Sequence, residues 1–142
     1  MKIEVKYHCD DIEKIRPSDN GDWIDLRAAE DVTLWAGDSK VISLGISMKL
    51  PDGYEAHLAP RSSTFRNWGI IQTNGVGVID NSYCGDNDVW GMPVYATKHT
   101  SISKGDRICQ FRIMKKMKTP KIVEVETLGG NDRGGFGSTG TR

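Results

Sequence analysis

An apolar segment that ends in an acidic and an aromatic residue is the part of this sequence best suited to chemistry. Residues Gly75–Ile79 have the composition of a strand, Asp80 follows at once, and Tyr83 lies three residues further on. A free aspartate titrates at about pH 4, so it is ionised at neutral pH and can accept a proton from water. An aspartate at a strand end also commonly starts a turn, and this structural interpretation is strong for Asp80 taken alone.

A second segment has the composition of an anion site. Pro60–Thr64 follows a predicted strand and opens a predicted helical turn within Ser62–Trp68. The first turn of a helix leaves backbone N–H groups unpaired, and Arg61 adds a guanidinium that can grip a phosphate or a carboxylate. Taken alone, an ordinary helix cap with a surface arginine is the better interpretation.

The glycine-rich end of the chain has two interpretations. Gly129–Arg142 holds six of the 16 glycines and shows no alternation. Composition alone favours a floppy tail. The alternative is a lid that orders over a ligand, with a cation at Arg133, an aromatic plate at Phe136 and hydroxyls at Ser138 and Thr139.

Carboxylates, histidines and cysteines elsewhere show no spacing typical of a metal site. Asp22 and Asp25 point to opposite faces if their segment is extended, so they would not chelate one ion together. The three cysteines form no CxxC pair, which argues against a zinc knuckle or a disulfide framework and favours a reduced, cytoplasmic compartment. The three histidines lack metal-ligand spacing with one another, and we interpret them as structural or surface residues: His8, His57 and His99.

Short segments of alternating polarity must position these residues. The pattern predicts an all-β domain, an antiparallel sandwich or barrel, because strands recur between frequent turn signals and no long helical periodicity is present. The predicted strands are Lys2–Tyr7, Val41–Leu50, Tyr54–Leu58, Gly75–Ile79, Val89–Ala96, Arg107–Ile113 and Lys121–Glu126.

Composition and charge argue against a nucleic-acid or membrane partner. The 142 residues suffice for one domain, and 19 basic against 19 acidic residues give no net charge, which argues against nucleic-acid binding by bulk electrostatics. No run approaches the roughly 18 apolar residues of a membrane span, and the N-terminus lacks the apolar core of a secretion signal.

Five segments in order resemble the motifs of the trimeric deoxyuridine triphosphate nucleotidohydrolases (dUTPases), especially the Gram-positive bacterial and prophage type. The third is the most complete, and Asn74 stands at its expected place upstream. The five segments are Asp25–Ala29, Pro60–Ser63, Gly77–Gly85, Gly105–Gln110 and Arg133–Gly140.

The resemblance implies a jelly-roll-like β domain over 1–128 with a mobile lid over 129–142, assembled as a homotrimer whose active sites are shared between subunits. The implied reaction converts dUTP to dUMP and pyrophosphate with Mg²⁺, with Asp80 activating the attacking water and Asp25 acting near the metal through water. A possible regulatory protein partner is also implied. The implied substrate-binding residues are Arg61, Ser62, Ser63, Asn74, Gly77, Val78, Ile79, Tyr83, Gln110, Arg133, Phe136, Gly137 and Ser138.

The fifth segment departs from the common family motif, and two other functions compete with dUTP hydrolysis. Arg133 and Phe136 are only three residues apart, closer than in the common fifth motif, which makes Trp90 an alternative aromatic cap for the base. The related dCTP deaminases rely on a Glu shortly after the third motif, and Gly85–Ala96 contains none. The second rival is a binding or regulatory protein that keeps the fold without catalysis.

Overall fold

The computed structural model describes all 142 residues, with eleven strands and one short helix. The all-β class predicted from the alternation is confirmed, as is the single helical turn after Ser62. The helix has neither the length nor the apolar run that a membrane crossing requires. The elements are β1 Glu4–Tyr7, β2 Ile24–Arg27, β3 Val32–Leu34, β4 Ser39–Ser43, β5 Ile46–Lys49, β6 Tyr54–Pro60, α1 Thr64–Trp68, β7 Ile70–Gln72, β8 Gly77–Ile79, β9 Gly91–Ala96, β10 Thr100–Ile102 and β11 Arg107–Lys115.

All strand pairs are antiparallel and fall into two larger and two smaller sheets. The larger sheets have the orders β2-β11-β6-β8 and β4-β9-β7, and the smaller ones pair β1 with β5 and β3 with β10. Buried side chains from both larger sheets belong to one hydrophobic core, as in a sandwich. These include Leu26, Leu58 and Phe111 from the first sheet and Ile42, Ile70, Met92 and Val94 from the second.

A bulge interrupts the regular alternation of β11. The pairing of β11 with β2 shifts register between Arg107 and Cys109. Ile108 and Cys109 are therefore both fully buried, although alternation alone would place them on opposite faces. The bulge lies beside the pairing of Gln110 with Asp25, two of the predicted site residues.

The prediction of a strand over Lys121–Glu126 is wrong. No strand follows β11, and Ile122 is 91% exposed. The segment is rich in β-branched residues and is bounded by Pro120 and Gly129, but a strand needs a partner for its backbone groups, and one copy of the chain supplies none.

The long strand predicted over Val41–Leu50 is divided into β4 and β5. The break falls at Leu44–Gly45, where Gly45 has a positive φ of 67°. A Cβ at Gly45 would also lie 2.7 Å from that of Ala29, so a glycine is required there. Four further strands, β2, β3, β7 and β10, escape sequence-based prediction because three or four residues are too few to show clear alternation.

Candidate active site

A cavity of about 440 Å³ opens beside β8 and contains much of the predicted base and sugar site. Seven of its twelve lining residues are hydrophobic, which suits a flat pyrimidine ring held among a few polar groups. The structure thus brings together a subset of the predicted substrate-binding and catalytic residues, namely Asn74, Gly77, Val78, Ile79, Asp80 and Tyr83.

Asp80 forms a turn and keeps a free carboxylate oxygen at the same time. The backbone N–H of Ser82 donates to Asp80 Oδ1 at 2.9 Å, and the N–H of Tyr83 donates to the Asp80 carbonyl at 3.0 Å. The hydrogen bond from the Ser82 backbone N–H, helped by the nearby Ser82 side chain and the charge of Lys116, holds the pKa of Asp80 below the usual 3.8. The turn and the general-base interpretations are therefore compatible, because Oδ2 makes no hydrogen bond within the chain and the group is ionised at neutral pH.

Two aromatic residues contribute differently to the cavity. Tyr83 is half-exposed, and its hydroxyl donates to the carbonyl of Val89 at 3.2 Å, which holds the ring along the wall. Trp90 is only 2% exposed, and its ring meets Phe111 edge-on with centroids 5.3 Å apart. The suggestion that Trp90 caps the base is therefore wrong: its ring belongs to the core and forms part of the cavity floor.

Asn81 anchors the Asp80 turn to the rest of the fold, a role that sequence reasoning missed. Its Nδ2 donates to the carbonyls of Pro51 at 2.9 Å and of Leu50 and Tyr54 at 3.3 Å. Leu50 and Pro51 belong to the connection between β5 and β6, and Tyr54 begins β6. The signal in the sequence is slight, since an asparagine after a strand-end aspartate is typical of any turn.

A second cluster forms where β2, β6 and β11 meet. The Arg61 guanidinium binds the Asp25 carboxylate, with Nε 2.9 Å from Oδ1, and Arg107 approaches Oδ2 at 3.2 Å. Gln110 faces Asp25 across the sheet and donates from Nε2 to the Pro60 carbonyl at 3.1 Å. Arg61 is thus held in a charge pair and is not a loose surface arginine.

The turn before α1 leaves its serine hydroxyls unused. The Arg61 N–H donates to Thr64 Oγ1 at 2.8 Å, and that hydroxyl donates to the Ile108 carbonyl at 2.9 Å. Ser63 occupies the helix cap position but makes no capping hydrogen bond through its side chain. Ser62 and Ser63 lie beside Arg61 with hydroxyls that can reach an anion.

The donors in this cluster fit a metal ion held mainly by phosphate and water. No three His, Cys, Asp or Glu side chains converge in the structure. Both oxygens of Asp25 are engaged by arginines, so Asp25 suits contact with a cation through water. Mg²⁺ commonly keeps several waters and takes its other ligands from substrate phosphates.

The two clusters of one chain lie well apart along β6. Ile79, the residue before Asp80, pairs with Ala56, while Arg61 lies five residues further along the same strand direction. Five strand residues span about 17 Å. A general base must come within about 2.6–3.2 Å of the proton it removes, or reach it through one water. The backbone positions of Asp80 and Arg61 in one chain are therefore too far apart for both side chains to contact the same water.

The predicted lid residues touch neither cluster. Arg133, Phe136, Gly137 and Ser138 are exposed, and the tail forms its own turns, with Ser138 N–H donating to the Gly135 carbonyl at 3.1 Å. The assignment of 129–142 as a lid, and of these four residues to the substrate, stays a prediction.

Comparison with known proteins identifies the class. The sequence profile of the dUTPase family matches residues 10–140, and the chain belongs to this family. It is 58% identical, over the full length of both chains, to the SPbeta prophage-derived deoxyuridine 5'-triphosphate nucleotidohydrolase YosS of Bacillus subtilis. It is 34% identical to the deoxyuridine 5'-triphosphate nucleotidohydrolase of Thermobifida fusca, covering 99% of this chain and 79% of that one. The resemblance drawn from the five motifs is confirmed.

Solved structures of phage dUTPases share the fold. The dUTPase of Staphylococcus bacteriophage 80alpha with dUPNHPP superposes with a TM-score of 0.81 at 24% identity, covering 99% of both chains. A mutant dUTPase from phage phi11 of S. aureus, which coordinates a structural Mg(II) ion, gives a TM-score of 0.76 at 19% identity over 90% of this chain and 99% of that one.

Proposed function

We propose that this protein hydrolyses dUTP to dUMP and pyrophosphate with Mg²⁺, which keeps uracil out of DNA and supplies dUMP. The observation that carries the proposal is an ionised Asp80 with one free oxygen at a cavity of pyrimidine-compatible size. Triphosphate hydrolysis needs an oriented water and neutralised charge more than covalent catalysis.

The backbone of β8 and the preceding turn read the base. Gly77 packs so closely on β6 that an added Cβ would lie 3.0 Å from that of Leu58, so the strand runs tight against the cavity wall. Peptide groups of Gly77–Ile79 and the Asn74 amide are the polar groups that meet the uracil edge. The Tyr83 ring packs against the deoxyribose and leaves no room for a ribose 2′-hydroxyl.

The reaction uses Asp80 as the general base and the arginine cluster as the phosphate site. Asp80 holds the attacking water at its free oxygen and accepts a proton from it as the water attacks the α-phosphorus, and pyrophosphate leaves. Arg61, Ser62, Ser63 and Gln110 hold the phosphates and orient the water. Asp25 would contact Mg²⁺ through water, and the ion would supply neutralisation of the phosphate charge.

The active unit is a homotrimer in which one chain's Asp80 faces another chain's Arg61. Two observations support this assembly: the separation of about 17 Å between the two clusters along β6, and the apolar, strand-patterned segment after β11 that lacks a partner. Exposed side chains in that segment suit pairing with a neighbouring copy and include Ile122, Val123, Val125 and Leu128.

Mixed trimers test the shared site directly. Asp80→Asn and Arg61→Gln are each expected to be inactive as homotrimers, but their equimolar mixture, unfolded and refolded together, should recover activity. Half of the chains carry an intact Asp80 and the other half carry an intact Arg61. If each site takes these two residues from different chains, about a quarter of the sites should be complete. The unmixed variants, refolded separately and combined afterwards, are the control. No recovery in a co-refolded trimer would place both residues in one chain's site.

Pyrophosphate release from dUTP, dCTP, dTTP and UTP, measured side by side with Mg²⁺, tests the activity itself. Strong preference for dUTP is expected, because base-reading groups left unpaired by cytosine are costly and Tyr83 excludes ribose. Ammonia release from dCTP in the same samples would favour a deaminase instead. A folded protein that turns over none of the four would favour a binding or regulatory role.

A further inference from the structure

Gln72 is a buried polar residue outside the five motifs. It ends β7, pairs with Val94 of β9 and is 5% exposed. A buried side-chain amide is unfavourable unless its hydrogen-bonding groups are used. Gln72 therefore calls for an explanation in terms of what its amide binds.

The side-chain nitrogen of Gln72 connects the two larger sheets next to the cavity. Nε2 donates to the carbonyl of Leu58 at 3.0 Å and to that of Gly75 at 3.2 Å. Leu58 lies in β6, opposite Gly77, in the last pair of the β6–β8 ladder. Gly75 lies two residues before β8, and its own N–H returns to the Gln72 carbonyl at 3.4 Å.

These contacts hold the turn that carries the predicted base-reading groups. Asn74 and Gly77 line the cavity, and both lie within five residues of Gln72. Gly75 has a positive φ of 65°, so the turn has an unusual backbone that does not form by strand pairing alone. The Gln72 amide supplies two donated hydrogen bonds in its place.

We propose that Gln72 is a positioning residue for base selection, whose amide fixes the Asn74–Gly77 turn against β6. This inference rests on the proposed function. Uracil and cytosine present opposite hydrogen-bonding groups at their 4-position, an oxygen acceptor and an amino donor respectively. A backbone held at one spacing rejects the wrong edge because its polar groups are left unpaired, whereas a mobile turn can adjust to both.

Replacement of Gln72 by Met keeps the length of the side chain and removes both donated hydrogen bonds. The ratio of kcat/KM for dUTP to that for dCTP should fall by about tenfold or more, and kcat for dUTP should change less. Loss of stability alone would lower both rates together and leave the ratio unchanged. Steady-state kinetics on the folded trimer, with its melting temperature measured in parallel, provides the comparison.

Thr97→Val is the matched control. Thr97 Oγ1 also donates to a backbone carbonyl of the same sheet region, that of Gly69 at 2.6 Å, but it lies outside the cavity. This variant should lose stability and keep the wild-type ratio. If the wild type prefers dUTP to dCTP and the Gln72→Met variant shows the same preference, the inference is overturned and the proposed function stands. A wild type without dUTP turnover would overturn the proposed function and the inference with it.

Hydrogen exchange in the wild type tests the same contacts without any substitution. The amide of Gly75, which lies outside the β6–β8 ladder, should exchange far more slowly than those of the exposed tail if the Gln72 bonds hold the turn. Exchange at the rate of residues 129–142 would overturn the inference even if Gln72→Met failed to fold.

Discussion

Replacement of Asp80 by Asn is expected to lower kcat for dUTP by about 10²–10⁴-fold, the usual contribution of a general base. The amide keeps the shape of the side chain and its oxygen can still accept from the Ser82 N–H, so the turn should persist. What is lost is the oxygen that accepts a proton from water. Pyrophosphate release, together with melting temperature and oligomeric state, measures both parts of this prediction.

Asp88→Asn is the control for that experiment. Asp88 lies in the same loop and accepts a comparable backbone hydrogen bond, from the Gly85 N–H at 2.8 Å, but it does not line the cavity. It should keep near-normal turnover. Turnover retained by Asp80→Asn would remove Asp80 from the role of base. The same variant separates catalysis from regulation, because a protein partner that recognises the fold should bind it as well as the wild type.

Deletion of residues 133–142 is the second change with a large expected effect. The kcat/KM for dUTP should fall by about 10²-fold, because a lid completes the site and excludes water. The fold and the trimer should survive, since none of these residues is buried and their hydrogen bonds stay within the tail. Kinetics, thermal unfolding and light scattering on the same sample test all three expectations.

Removal of Thr141 and Arg142 alone is the matched control and should leave turnover intact, because neither residue belongs to the fifth motif. Loss of the trimer in the longer deletion would assign the tail to assembly and not to catalysis. A crystal structure with a non-hydrolysable dUTP analogue would then locate Phe136. With Trp90 buried in the core, Phe136 is the remaining candidate for stacking on the uracil.

The features that depend on neighbouring residues in the chain were accessible from the sequence. Alternation predicted β1, β6 and most of β11, because one face of each meets the core. The Asp80 turn follows from an aspartate placed directly after an apolar strand. The five motifs identified the family, because their order along the chain can be read without knowing the tertiary contacts. Trp90 shows the limit of this reasoning, because the type of an aromatic side chain does not reveal whether it faces the cavity or the core.

Other features depend on residues far apart in the chain, and only the tertiary structure decided them. Gln72 gains its meaning from a carbonyl fourteen residues away, and Asn81 from carbonyls 27 to 31 residues away. The bulge in β11 and the pairing of Arg61 with Asp25 arise where three strands meet.

The sequence by itself thus determined the all-β class, the family and the residue types available for catalysis, because periodicity and motif order are properties of the chain. The tertiary structure decided which of those residues meet. Antiparallel pairing places Asp80 and Arg61 at different ends of β6, a distance set by strand geometry that no spacing in the sequence reveals. The lack of a pairing partner leaves Lys121–Glu126 without a strand, although its β-branched residues favour one.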